Sequence, residues 1–257
     1  MGILDGKRIL VTGVTADSSI AYHVARIAQG EGARIVVSNV GRALSLTERA
    51  VQGLDPVPDI IELDVTDTAQ LEGLADQVKT TLGRLDGIVH SIAYTNPRNT
   101  MGGAFMTSAW DDVSTAFQVS AYSLVALVRA CQPVLAPGAA VVGMTFDGTV
   151  SWPAYDWMGV AKSTLEAISR YIARYLGPRG IRSNLVAAGP INTLSKQAIP
   201  GLGAFDAQWG EMAPLGWDPN DHEPAARAVV ALLSDWFPKT TGHILYVDGG
   251  VHTAGPN

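Results

Sequence analysis

Tyr155 and Lys162 stand seven residues apart in the stretch Pro153-Ala154-Tyr155-Asp156-Trp157-Met158-Gly159-Val160-Ala161-Lys162. On an α-helix that step is two turns, so the side chains lie about 20° apart in azimuth and roughly 10 Å apart along the axis. A long Lys side chain can span that distance toward the face that a Tyr near the helix start also presents. Such a pair can offer a phenol to a carbonyl oxygen while an ammonium favours negative charge on that phenol. A buried aromatic and a surface Lys can share the same spacing by chance, so the surrounding elements must decide.

Those elements alternate from end to end. Apolar, strand-like runs cover residues 8–12, 35–37, 60–63, 87–91, 140–144, 181–186 and 244–247. Helical periodicity covers 20–29, 44–51, 69–82, 110–131, 155–175 and 224–233. Near-continuous apolar strands separated by helices indicate an α/β fold whose parallel sheet is covered on both faces. Right-handed crossovers then favour a doubly wound, Rossmann-type sheet. Two irregular stretches, 94–107 and 191–219, follow the carboxyl ends of strands, where such sheets bind ligands. The second is long enough to act as a lid, with residues 191–217 as the substrate loop.

The first strand ends in Thr12-Gly13-Val14-Thr15-Ala16-Asp17-Ser18-Ser19-Ile20-Ala21. This has the position of a dinucleotide turn without the full G-x-G-x-x-G pattern. Gly13 permits a tight turn, and Ser19 can present a hydroxyl and an amide to a pyrophosphate at the next helix N-terminus. Ser19 can equally be an ordinary N-cap. Asp64, followed by Val65, can accept from the exocyclic amine of an adenine, or serve as a local cap without a ligand. Ser91-Ile92-Ala93 follows the fourth strand. His90 reads as a strand-end His satisfied by backbone, with no second His at metal-ligand spacing and hence no metal site.

Composition narrows the classes. At 257 residues the chain fits one domain spanning 1–257. With 47% hydrophobic and 16% charged residues it can build a core. No uninterrupted apolar run approaches the ~18 residues of a membrane span, and the first residues show no cleavable leader. Cys131 is the only cysteine, which suits a reducing cytoplasm. A net charge of −6 argues against a nucleic-acid surface.

The ensemble resembles a known group: the enoyl-(acyl-carrier-protein) reductases of bacterial fatty-acid synthesis, divergent short-chain dehydrogenases/reductases. The likeness rests on Gly13 with Ser18-Ser19-Ile20-Ala21, Leu63-Asp64-Val65, His90-Ser91-Ile92 and Ser120-Ala121-Tyr122-Ser123. It continues through Tyr155, Met158 and Lys162, Ala188-Gly189-Pro190-Ile191, Leu232-Leu233-Ser234-Asp235, Thr241-Gly242 and Asp248-Gly249-Gly250. Phe146 is similar to the actinobacterial branch, including the mycobacterial type, where other members carry a second active-site Tyr. The resemblance implies a homotetramer that takes NADH and an enoyl thioester carried on acyl carrier protein. It places Gly13, Val14, Ser19, Ile20, Val40, Asp64, Val65, Ser91, Ile92, Ala93, Lys162, Ile191 and Thr193 at the cofactor. Tyr155, Lys162 and Phe146 become the catalytic set, and Tyr94, Phe146, Tyr155 and Met158 face the substrate. A carbonyl reductase of the same family would instead resemble Tyr-x3-Lys, and Gly159 occupies that place.

Three departures bear on this. Ser38-Asn39-Val40-Gly41-Arg42 lacks the carboxylate that usually rejects a phosphorylated cofactor, and Arg42 could accept a 2′-phosphate, so NADPH is not excluded. Ala93-Tyr94 replaces the family's usual Gly-Phe and would narrow the site by a methyl. The loop at 191–217 is shorter than in the mycobacterial type, which points to ordinary or short acyl chains. Lys196 and Arg98 in the two irregular stretches could dock an acidic carrier or simply be solvated. A pathway-specific reductase of secondary metabolism and a non-catalytic nucleotide-binding regulator remain alternatives. The apolar circumference of 110–131 fits burial against a second subunit.

Overall fold

A computed structural model describes residues 2–197 and 209–254. Seven parallel strands form one sheet in the order β3-β2-β1-β4-β5-β6-β7. They are β1 Arg8–Thr12, β2 Arg34–Asn39, β3 Asp59–Glu62, β4 Leu85–His90, β5 Leu135–Thr145, β6 Arg182–Ala188 and β7 Ile244–Val247. Chain order reverses between β1 and β4, which pair Ile9 with Gly87 and Val11 with Val89. The crevice at that switch point is where an open α/β sheet receives its ligand.

The two sheet faces bury separate apolar layers. On one side α1 (Ile20–Gly30) packs on the helix Glu223–Leu233, over Val11, Val37, Val142 and Val186. On the other lie α3 (Thr68–Thr81), the helical segments of 110–131, and the long helix Asp156–Leu176, over Leu10, Ile88, Val141 and Leu185. The strands thus send alternate side chains into opposite layers, and both layers are apolar. That explains the unbroken apolar strands in the sequence.

Strand β5 is longer than expected, at 11 residues, and β6 ends two residues later, at Ala188. The helix expected over 110–131 is not uniform. It runs as Trp110–Phe117, a π-helical turn Gln118–Tyr122 and Ser123–Cys131. By length and composition the stretch Trp110–Val134 could cross a membrane, but half of its most apolar window is buried inside this fold. Beyond α2 (Leu44–Ala50) and α3, the loop 94–107 carries a short helix, α4, at Pro97–Thr100. The loop after β6 carries another at Leu194–Gln197. Of the expected lid, residues 198–208 lie outside the described residues.

Candidate active site

A cavity of about 670 Å³ opens along the carboxyl ends of the strands. Its floor begins where β1 turns into α1. Gly13 has φ +80°, and a Cβ there would sit 2.0 Å from the carbonyl oxygen of Ser91. No side chain fits, so two strand ends meet backbone to backbone at the switch point. Ser19 caps α1: its hydroxyl donates to the Ala16 carbonyl (2.7 Å) and accepts from the Tyr22 amide (3.2 Å). Ser19 therefore realises the cap reading while still lining the cavity with Ile20.

Val14 follows Gly13 in the turn. It does not line the cavity; its side chain is fully buried in the α1 layer. Its carbonyl instead accepts from Thr47 Oγ1 (2.6 Å) and Asn39 Nδ2 (2.9 Å), tying the turn to β2.

The cavity wall continues through Val40, Asp64, Val65, Ser91, Ile92, Ala93 and Tyr94. One oxygen of Asp64 holds an Asx turn, accepting from the amide (2.9 Å) and hydroxyl (2.7 Å) of Thr66. The cap of α3 is Asp67, not Asp64. Arg42 places its guanidinium 5.2 Å from the Tyr94 ring centre, and both line the cavity. Tyr94 is held by a residue whose purpose the sequence did not reveal. Ser120, in the π turn, donates to the Tyr94 carbonyl and accepts from its amide, each at 2.9 Å. Ile191, Thr193 and Lys196 close this side, with Lys196 Nζ donating to Asn192 Oδ1 at 2.7 Å.

At the far end lie Tyr155, Lys162, Phe146 and Met158. Tyr155 is not inside the long helix but caps it, one residue before Asp156. The residues on either side adopt left-handed backbone, Ala154 at φ +62° and Asp156 at φ +39°. Each such non-glycine residue costs about 1–3 kcal/mol and must be held by its surroundings. Phe146 lies 5.1 Å from the Tyr155 ring centre, and Met158 packs with Met101 and Ala161 against Tyr155. Burial raises the Tyr155 pKa above its usual value, so the phenol stays protonated and can donate.

Lys162 is 6% exposed, and its ammonium donates to the Met144 carbonyl at 3.0 Å. Burial lowers its pKa to about 8, while Glu166 one turn on opposes the fall. Glu166 itself accepts from the Gly148 amide at 2.9 Å. His90 is buried, and its partner is the Ser123 hydroxyl at 2.8 Å, not the expected backbone. Burial and the Lys162 charge push its pKa down to about 3, so this ring carries no proton traffic near neutrality.

Aromatic residues form the remaining wall. Trp152 donates its indole N–H to the Asp147 carbonyl (2.9 Å) and lies 5.4 Å from Phe146 and 5.0 Å from Trp209 between ring centres. The residues present fit a dinucleotide. A glycine-only backbone junction lies under the cavity, a helix N-terminus and a carboxylate flank one end, and a buried ammonium lies at the other.

The chain is similar to known proteins along nearly its whole length. A family model described as enoyl-(acyl carrier protein) reductase matches residues 13–252. An enoyl-[acyl-carrier-protein] reductase [NADH] of Mycolicibacterium smegmatis is 45% identical, with 98% of each chain covered. The protein of that name from Mycobacterium avium is 46% identical with the same coverage, and one from Bacillus subtilis is 35% identical over 97% of each chain. With a family match over residues 13–252 and relatives covered over nearly their whole length, the chain belongs to the enoyl-(acyl carrier protein) reductase family.

Proposed function

We propose that this protein reduces the trans-2 double bond of enoyl thioesters carried on acyl carrier protein, using NADH, in fatty-acid synthesis. The observation that carries this reading is the single continuous cavity joining the Gly13–Ser91 junction to Tyr155 and Lys162 beside an apolar wall. Relatives up to 46% identical and named as NADH-dependent enoyl reductases support the same reaction and the same cofactor.

A bound reduced nicotinamide would supply a hydride to the β-carbon of the substrate, and water or Tyr155 would supply the proton that completes the α-carbon. This chain's residues then manage the charge that moves onto the thioester oxygen. Tyr155, kept protonated by burial, donates a hydrogen bond to that oxygen as the enolate develops. Lys162 binds the ribose hydroxyls of the dinucleotide and lends positive potential to the same region. Phe146 flanks the double bond, and Met158 lines the acyl channel. Asp64 accepts from the adenine amine, and the first turn of α1 faces the pyrophosphate. Arg42 over Tyr94 borders the cavity as well.

Of the loop expected as a lid, the described residues Ile191, Thr193 and Lys196 line the cavity. The assembly is a homotetramer, for which Tyr122 on the π turn and Tyr171 and Tyr175 on the long helix offer exposed aromatic surface. Following NADH absorbance with crotonyl and longer enoyl thioesters tests the reaction. Oxidation that depends on the conjugated double bond is expected. No oxidation with any enoyl thioester, free or on carrier protein, would overturn the reading.

A further inference from the structure

The turn that presents Tyr155 is stitched to a loop fifty residues earlier. The Gly102 amide donates to the Ala154 carbonyl at 2.9 Å. The next two amides, of Gly103 and Ala104, both donate to one oxygen of the Asp156 carboxylate, at 2.7 and 3.1 Å. Gly102 and Gly103 have φ +70° and +95°, which turns successive N–H groups toward one point. Such a backbone nest favours an anion. The Trp157 indole donates to the Phe105 carbonyl at 2.9 Å, and the two rings stack at 4.7 Å.

We propose that Asp156 is a positioning residue for Tyr155. Its carboxylate, seated in the nest of residues 102–104, holds the left-handed turn and so fixes the phenol in the cavity. Two observations converge on this. Left-handed backbone on both sides of one aromatic residue needs an external restraint, and the restraint present is the carboxylate of the very next residue. The same loop brings Met101 against Met158 and Tyr155, so its seating also shapes the wall around the phenol. The inference rests on the reading of Tyr155 as the donor to the substrate oxygen.

The test is a set of variants read by kinetics and by crystallography. Asp156→Ala removes the acceptor; kcat should fall about 10–100-fold, as expected when a reacting group is misplaced by about 1 Å, with the KM for NADH unchanged. Asp156→Asn keeps an acceptor oxygen and should restore most of kcat. Asp156→Gly suits the left-handed backbone but lacks the clamp, and should behave like Asp156→Ala. If Asp156→Ala does not fold, Gly103→Ala supplies the same perturbation from the other side. A methyl there meets open space, so only the disfavoured φ disturbs the nest. A crystal structure of Asp156→Ala should show the Tyr155 ring displaced from Phe146. Full kcat, or a Tyr155 ring still in place without the carboxylate, overturns the proposal. Wild-type protein that oxidises no NADH with enoyl thioesters overturns the proposed reaction instead, and the ring position still decides the clamp.

Discussion

Lys162 donates its ammonium to the main-chain carbonyl of Met144, at the end of β5, and does so from an almost fully buried position. The bond orients the charge, while burial brings its pKa from 10.5 to about 8. NADH affinity should therefore hold below pH 8 and weaken as pH rises through it, because the neutral amine loses one donor and its field. Lys162→Arg should remove that weakening by staying charged, and Lys162→Ala should impair cofactor binding at every pH. Fluorescence titration of NADH between pH 6.5 and 9.5 measures this; a flat wild-type profile would count against it. The cofactor-free protein should show the converse in stability. The unfolded chain binds a proton between pH 8 and 10.5 that the native Lys has released, so stability rises with pH across that window.

Tyr155→Phe should separate chemistry from binding. The ring's contact with Phe146 survives the substitution, so NADH affinity should stay within about twofold while kcat falls. A donor aimed at developing charge is commonly worth about 10²–10³ in rate. Steady-state kinetics with crotonyl thioester, paired with NADH titration, measure both quantities. Unchanged turnover would remove Tyr155 from the mechanism assigned to it.

The parts of this molecule that were legible in sequence are those where one physical demand dominates. Both-face burial made the strands readable, and the Tyr155–Lys162 step and Asp64 stood out because their chemistry is local in sequence, whereas Phe146 came only from the family resemblance. The π turn at Gln118–Tyr122 was not readable, since one extra residue per turn leaves no mark on composition. Its consequence, the double hydrogen bond from Ser120 to Tyr94, joins residues 26 apart. The Asp156 clamp spans 53 residues and depends on two glycines whose φ values only the fold reveals. Arg42, which could have been a plain solvated charge, lies over Tyr94 because the short 3₁₀ turn Gly41–Ala43 aims it there. Val14 was placed at the cofactor by likeness, and its side chain lies buried in the α1 layer.

His90 makes the protein acid-sensitive. Its buried ring has a pKa of about 3 against an ordinary 6.5, and His23 is lowered too, by burial and by neighbouring His222 and Arg26. Between those pH values the unfolded chain takes up a proton that the native His90 refuses. Stability is thus full above pH 6.5 and drains as pH falls toward 3, by up to about 1.4 kcal/mol per pH unit for one such group. Urea midpoints measured at pH 7.5, 6.0 and 5.0 should decline, and His90→Gln should decline less steeply. Parallel profiles for the two proteins would show that His90 is not the group responsible.

Trp152 is expected to limit how much acyl chain the site accepts. Its indole is pinned to the Asp147 carbonyl and wedged between Phe146 and Trp209, so it cannot swing aside without breaking a hydrogen bond and two ring contacts. It lines the cavity beside Tyr155, the end that the proposed reaction gives to the acyl chain. Trp152→Ala would exchange an indole for open apolar volume. Each methylene newly buried there is worth at most about 0.8 kcal/mol, roughly fourfold in affinity. The ratio of kcat/KM for dodecenoyl over crotonyl thioester should therefore rise by about tenfold or more, the gain appearing with chain length rather than uniformly. A ratio that stays constant while both rates fall would mean that Trp152 only supports Phe146, and that chain length is decided elsewhere in the loop after β6.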